Sequence, residues 1–183
     1  MSGRKRSPDR PGRYRRRMTG PFDDLLAANA RFAADFKLAG FDGVAHAGIA
    51  VVTCMDSRID PLAMLDLRPG DAKMLRNPGG RVTDDALAAL VLSVNLLGVE
   101  RVLIVPHTRC AMAGTSEAEL RARVGRASGR DASWETFGAV ADQQAALRDD
   151  VIRVRSHPLV PDSVAVGGFL YDVDTGRISQ LVG

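Results

Sequence analysis

Residues 48–58 read GIAVVTCMDSR, and the fold turns on what that run is. GIAVVTC is short, continuously apolar and rich in β-branched residues. With no polar alternation, both faces need covering, the pattern of a strand inside a mainly parallel sheet. Packing alone does not explain how the strand ends. Cys54, Asp56 and Arg58 place a thiol, a carboxylate and a guanidinium at two-residue spacing, and along an extended segment these side chains point the same way.

Outward from this strand the chain alternates between strand and helix signals. PFDDLLAANARFAADFKLAG (21–40) sets Phe22, Leu25, Leu26, Phe32 and Phe36 at helical spacing, with Asp23 and Asp24 in the first turn and Gly40 as a stop. PLAMLDLRPG (61–70) predicts a short helix closed by Pro69 and Gly70, and AKMLRN (72–77) a second strand before the PGG break. TDDALAALVLSVNLLG (83–98) is the strongest helix, with Thr83 as N-cap and Gly98 at its end. Its nearly all-round apolar surface places it between layers or at a subunit contact. RVLIVPH (101–107) predicts a third strand, SEAELRARVG (116–125) a helix, and 138–156 one long helix ended by His157-Pro158. SVAVGGFLYD and RISQLV then read as two strands joined by a tight turn at VDTG. The expected fold class is α/β: a mainly parallel central sheet with an antiparallel edge strand, flanked by helices. Such sheets gather ligands at the carboxyl ends of their strands, where Cys54 and His107 both fall.

Composition bounds the rest. The chain has 183 residues, 45% hydrophobic and 26% charged, as expected of a soluble globular protein. Its net charge of +3 is misleading, because residues 1–17 carry +7 (eight Lys/Arg against Asp9) and leave −4 for the remainder. Residues 1–18 read as a disordered basic tail and 19–183 as a single α/β domain. Nucleic-acid binding through the tail is the weaker reading. With no apolar h-region after the basic residues and no long apolar run, neither a secretory signal nor a membrane span is expected. The chain should be cytoplasmic, and its two cysteines reduced.

Two cysteines that form no disulfide framework point to metal or catalysis. His107 and Cys110, in PHTRCAMAG (106–114), are three residues apart just past a strand, a spacing that turns both side chains to one side. Cys54 from another strand end would complete a set of two thiolates and one imidazole. That set suits tetrahedral zinc with a fourth position open to water, the form of a catalytic rather than a structural site. Asp56 can contest the open position. On zinc it closes the site; in a planar pair with Arg58 it leaves the site open. His46, just before the first strand, is a possible proton relay if it faces the site, and His157 a helix-end residue.

CMDSR at 54–58, HTRC at 107–110 and RNPGG at 76–80 together resemble the β-class carbonic anhydrases, most of all their short prokaryotic members. The likeness runs from about Phe22 to the C-terminus and includes SHPLVPDSVAVGGFLYDVDTG (156–176). It implies a zinc enzyme that interconverts carbon dioxide and bicarbonate, with one Zn(II) per subunit in a homodimer or higher homo-oligomer. Cys54, His107 and Cys110 match the family's zinc ligands. Asp56 and Arg58 match its catalytic dyad, whose aspartate in some members closes onto zinc. Bound zinc would lower the pKa of its water to about 7, and Asp56 would accept a hydrogen bond from the attacking oxygen. Three positions depart from the family's usual pattern: Pro78 in place of a small residue, Arg109 in place of a frequent Asp, and Ala111 in place of Gly. Ala111 is expected to narrow the pocket or to exclude a backbone angle that Gly allows. Substrate-binding residues are not legible. Hydrolysis of carbonyl sulfide or carbon disulfide on the same site and a non-catalytic zinc-binding homologue are the alternatives; a thiol redox protein is weak without C-x-x-C.

Overall fold

The run at 49–54 is strand β1 (Ile49–Cys54), and every residue of it is buried. It pairs in parallel on both sides, with β2 (Ala72–Asn77) and β3 (Arg101–Val105), which is why an unbroken apolar sequence stands there. β4 (Ala165–Tyr171) adds in parallel to β3, and β5 (Ile178–Val182) closes the sheet antiparallel, in the order β2-β1-β3-β4-β5. The chain is thus α/β with a mainly parallel sheet and an antiparallel edge strand, as expected. These features come from a computed structural model that describes residues 20–183, so the basic tail expected over 1–18 lies outside the described residues.

The described residues form four α-helices: α1 (Asp23–Ala34), α2 (Asp84–Leu96), α3 (Glu117–Ser128) and α4 (Gln143–Arg155). The described chain divides into two units at Phe41/Asp42, with α1 in the first and the whole sheet in the second. No residue of α1 is buried, and its Phe32 ring lies 5.5 Å from that of Phe36. In the second unit, strand alternation divides β1 between two clusters. Ala50 and Val52 join Leu90 of α2, Leu147, Val151 and Val154 of α4, and Ile104 of β3. Ile49 and Val51 face Val105, Met64, Met74 and Phe169 on the other side. Each fully buried aliphatic side chain stabilises the fold by about 1.5–3 kcal/mol.

Topology decides where a ligand can sit. From β1 the chain leaves for β2 on one flank; from β3 it leaves for β4 on the other. The connections therefore diverge between β1 and β3, opening a crevice at their carboxyl ends.

Two expected helices are shorter than their sequence patterns. PLAMLDLRPG forms only a single 3₁₀ turn at Ala63–Leu65, ended by Asp66 in the left-handed conformation with φ 53°. The helix expected over 138–156 begins at Gln143, because the Asp142 side chain accepts from the amides of Gln144 and Ala145 and caps it. Ahead of that cap, Val140 N donates to Met112 O at 2.8 Å, so the segment is tied to the chain beyond Cys110. α2 has its Thr83 cap and is buried along Ala86, Leu87, Leu90 and Ser93, while Leu92 and Leu96 are exposed. No helix among the described residues is long and apolar enough to cross a membrane.

α4 is joined to the β2–α2 connection by a carboxylate. Asp150, 3% exposed, accepts from Arg81 Nε at 2.6 Å, Arg81 NH2 at 3.1 Å and Val82 N at 3.2 Å. Asp150→Ala is expected to destabilise the fold by about 2–4 kcal/mol, since a guanidinium and an amide lose their partner and water reaches only the partly exposed Arg81. Chemical denaturation with an unchanged m-value checks this.

Candidate metal centre

The crevice between β1 and β3 holds three ligand-type side chains from two directions. Cys54 is the last residue of β1, and its position depends on a neighbour without a side chain. A Cβ on Gly80 would stand 2.9 Å from Cys54 N, and Gly80 has φ +67°. Only glycine lets the PGG turn pass so close to the strand end. Asn77 holds that turn, its Oδ1 accepting from Arg81 N at 2.8 Å and its Nδ2 donating to Arg81 O at 2.7 Å.

His107 follows β3 by two residues and is fully buried. Its Nδ1 lies 2.8 Å from Thr108 O. A carbonyl only accepts, so Nδ1 carries the hydrogen and Nε2 presents a bare lone pair. Among the described residues that buried Nε2 has no hydrogen-bond partner. Leaving such an atom unsatisfied costs about 1–3 kcal/mol, a cost that a metal ion removes. Cys110 completes the group: Cys54 Sγ, a His107 ring nitrogen and Cys110 Sγ all lie within 4.8 Å of one another, and all three residues are buried.

The spacing also fits. Two sulfurs bound to zinc at about 2.3 Å in a tetrahedron are about 3.8 Å apart, and Cys54 Sγ and Cys110 Sγ stand 3.9 Å apart. A hydrogen bond from Cys110 holds the Cys54 thiol below its usual range, while that same bond, and then burial, push Cys110 up. The group therefore offers a cation two sulfurs and one lone-pair nitrogen.

Asp56 borders this group without belonging to it. Its Oδ1 accepts from Arg58 Nε and from Arg58 N, both at 2.9 Å, and its Oδ2 from Arg58 NH2 at 2.7 Å. Oδ2 is 3.7 Å from His107 Nε2. The Arg58 hydrogen bonds hold this carboxyl well below the usual carboxylate range. Of the four residues expected around the metal, Cys54, His107 and Cys110 are brought together, and Asp56 is paired with Arg58.

The remaining expectations divide. His46 is at the amino end of β1, with Nε2 3.0 Å from Asp42 Oδ1, so the length of the strand, on the order of 16 Å, separates it from the ligands. His157 lies just after α4, where its Nδ1 accepts from Leu159 N at 3.2 Å. Ala111 is not among the residues with positive φ, so its methyl excludes no backbone angle used here. Sequence reading missed Arg76 and Gln143. Arg76 Nε donates to Cys54 O at 3.1 Å and its NH2 to Asp56 O at 2.7 Å, fixing the backbone that carries ligand and dyad. Gln143 Nε2 donates to His107 O at 3.0 Å. An arginine inside a strand of AKMLRN was a readable signal; Gln143 had none.

Above the ligands lies an open cleft of about 660 Å³, walled by Met55, Pro78, Ala111 and Met112 beside Asp56 and Arg58. It is mostly apolar with one charged pair, a surface for a small uncharged molecule beside a polar reaction centre.

The sequence profile of the family described as carbonic anhydrase matches residues 49–178, spanning both ligand strands. The chain belongs to the β-carbonic anhydrase family. β-Carbonic anhydrase 1 of Mycobacterium tuberculosis is 33% identical over 162 residues, covering 87% of this chain and 96% of that protein. A carbon disulfide hydrolase from Acidianus sp. is 32% identical over 154 residues, covering 71% of this chain and 75% of its own. The crystal structure of carbonic anhydrase from Streptococcus mutans superposes with a TM-score of 0.79 at 34% identity, over 89% of this chain and 98% of the other. In a chain of this family, the buried Cys-His-Cys group beside a carboxylate is a candidate for holding a metal ion.

His107→Ala and Cys110→Ser are each expected to leave the dialysed protein with little zinc by elemental analysis. Zinc uptake by the apo-protein should release protons, since burial and the hydrogen bond to Cys54 push Cys110 up and a cation must displace its proton; an indicator dye in weak buffer would register the release.

Proposed function

We propose that this chain is a zinc-dependent carbonic anhydrase that catalyses the reversible hydration of carbon dioxide to bicarbonate and a proton. The observation that carries the reading is the buried three-ligand group with an unpartnered His107 Nε2, next to a carboxylate held away from it by arginine. Cys54, His107 and Cys110 would hold one Zn(II) per subunit. Zinc bound there supplies Lewis-acid chemistry and lowers the pKa of a coordinated water to about 7.

The chain's own residues do the rest. Asp56, ionised at any working pH, accepts a hydrogen bond from the attacking oxygen and aims its lone pair at the carbon. Arg58 keeps both carboxylate oxygens in one plane and neutralises a charge that would otherwise repel bicarbonate. Arg76 holds the backbone at Cys54 and Asp56, so ligand and dyad move as one piece. Met55, Pro78 and Met112 favour an uncharged, linear substrate over a charged one. We place the enzyme in the cytoplasm, where thiols such as Cys54 and Cys110 stay reduced, and exposed Leu92 and Leu96 on α2 support a homodimer or higher homo-oligomer.

Hydrolysis of carbon disulfide or carbonyl sulfide is the second reading, favoured by the 32% identity to the Acidianus enzyme. Stopped-flow carbon dioxide hydration measured beside sulfide release separates the two. Fast hydration is expected; sulfide release with negligible hydration overturns the first reading. Asp56→Ala should lower turnover by roughly 10²-fold or more with zinc content unchanged. Light scattering at micromolar concentration should give at least twice the 19.6 kDa of one chain.

A further inference from the structure

Arg109, directly before Cys110 in the loop that begins at His107, has φ 53°, one of two non-glycine residues with positive φ among those described. A side chain with a Cβ is unfavourable in that conformation unless the surroundings hold it. Two contacts show what the conformation achieves. The Arg109 carbonyl faces the dyad and accepts from Arg58 NH2 at 3.3 Å, the same nitrogen that donates to Asp56 Oδ2. Its guanidinium pairs with Asp174 in the β4–β5 turn.

That turn is a firm anchor. Asp174 N donates to Asp172 Oδ1 at 2.8 Å, and Gly176 N donates to Asp172 O at 2.8 Å. The ligand loop is stitched to it next door as well: Thr108 N donates to Tyr171 O at 2.9 Å and Val173 N to Thr108 Oγ1 at 3.1 Å. The antiparallel edge hairpin therefore reaches the dyad through one residue. Asp174 also stabilises the charged form of Arg58 through its field, after the hydrogen bond and charge of Asp56. Both members of the Arg109–Asp174 pair are about 60% exposed (60% and 59%). Such a pair adds little to overall stability, so its consequence is local.

We propose that Asp174, acting through Arg109, is a positioning residue for the Asp56–Arg58 dyad: the pair holds the left-handed turn that presents the Arg109 carbonyl to Arg58, and so keeps Asp56 on arginine and off the metal. The inference rests on the proposed zinc site and dyad. Without the pair, Arg109 relaxes, Arg58 loses its second acceptor, and Asp56 competes for the fourth metal position.

The test uses the full chain with cobalt(II) in place of zinc and thiocyanate as the probe, followed by visible absorption. In Asp174→Asn the apparent Kd for thiocyanate is expected to rise about three- to tenfold, with metal content and Tm unchanged. Arg109→Ala, which keeps the Cβ but loses the guanidinium, should show the same rise. The charge swap Arg109→Asp with Asp174→Arg should restore affinity to within about twofold, since Asp tolerates positive φ. In an Asp56→Asn background, Asp174→Asn should change nothing, because the competing carboxylate is gone. Unchanged affinity in both single variants overturns the inference, and a rise that persists in the Asp56→Asn background overturns it in favour of general loosening of the loop. Either result leaves the proposed function standing if the unaltered chain binds metal and hydrates carbon dioxide. A chain that takes up no cobalt overturns both.

Discussion

Cys54 ends a strand that is hydrogen-bonded in parallel on both sides, and the rest of the candidate metal centre depends on that constraint. A strand held this way cannot slide or twist free without breaking two ladders, so its last side chain is fixed relative to the end of β3. Divergence of the connections at β1 and β3 leaves that point uncovered by backbone. His107 and Cys110 arrive from the second strand, and the absence of a Cβ at Gly80 lets the PGG turn close underneath. The three ligand atoms are thus set by sheet geometry rather than by a flexible loop, as a preorganised metal centre requires.

The electrostatics follow from burial. The buried, unpartnered His107 Nε2 and the two neighbouring sulfurs form a group of electron pairs that favours a soft cation. Asp56 is the only carboxylate described at its border, and a free anion there would move onto any cation bound beside it. Arg58 offers that carboxylate three donors, counting its own amide. In the proposed enzyme guanidinium and metal would compete for one carboxylate, and the Arg109 carbonyl is a further acceptor for the guanidinium.

Much of this was legible in advance because its signals are local. An unbroken apolar run marks a strand paired on both sides, and H-x-x-C just past a strand marks two ligands on one side of a turn. The helix expected over 138–156 was overextended because its composition is helical throughout, whereas the start is decided by the Asp142 cap and by Val140 pairing with Met112, 28 residues earlier in the chain. His46 illustrates the same limit. Proximity in sequence to β1 said nothing of which end of the strand it occupies, and that end is the wrong one for a relay.

The α/β class, the candidate group of Cys54, His107 and Cys110, and the two-residue spacing of Cys54, Asp56 and Arg58 could be read from sequence alone, since they rest on residue type and on periodicities of the backbone. Only the tertiary structure decided that Asp56 is on Arg58, that Arg76 and Gln143 brace the ligand backbone, and that Arg109 ties the dyad to Asp174. Each of these is a contact between residues distant in the chain or a choice between two acceptable partners. Such choices are made by packing and hydrogen-bond geometry, which leave no periodic trace in the sequence.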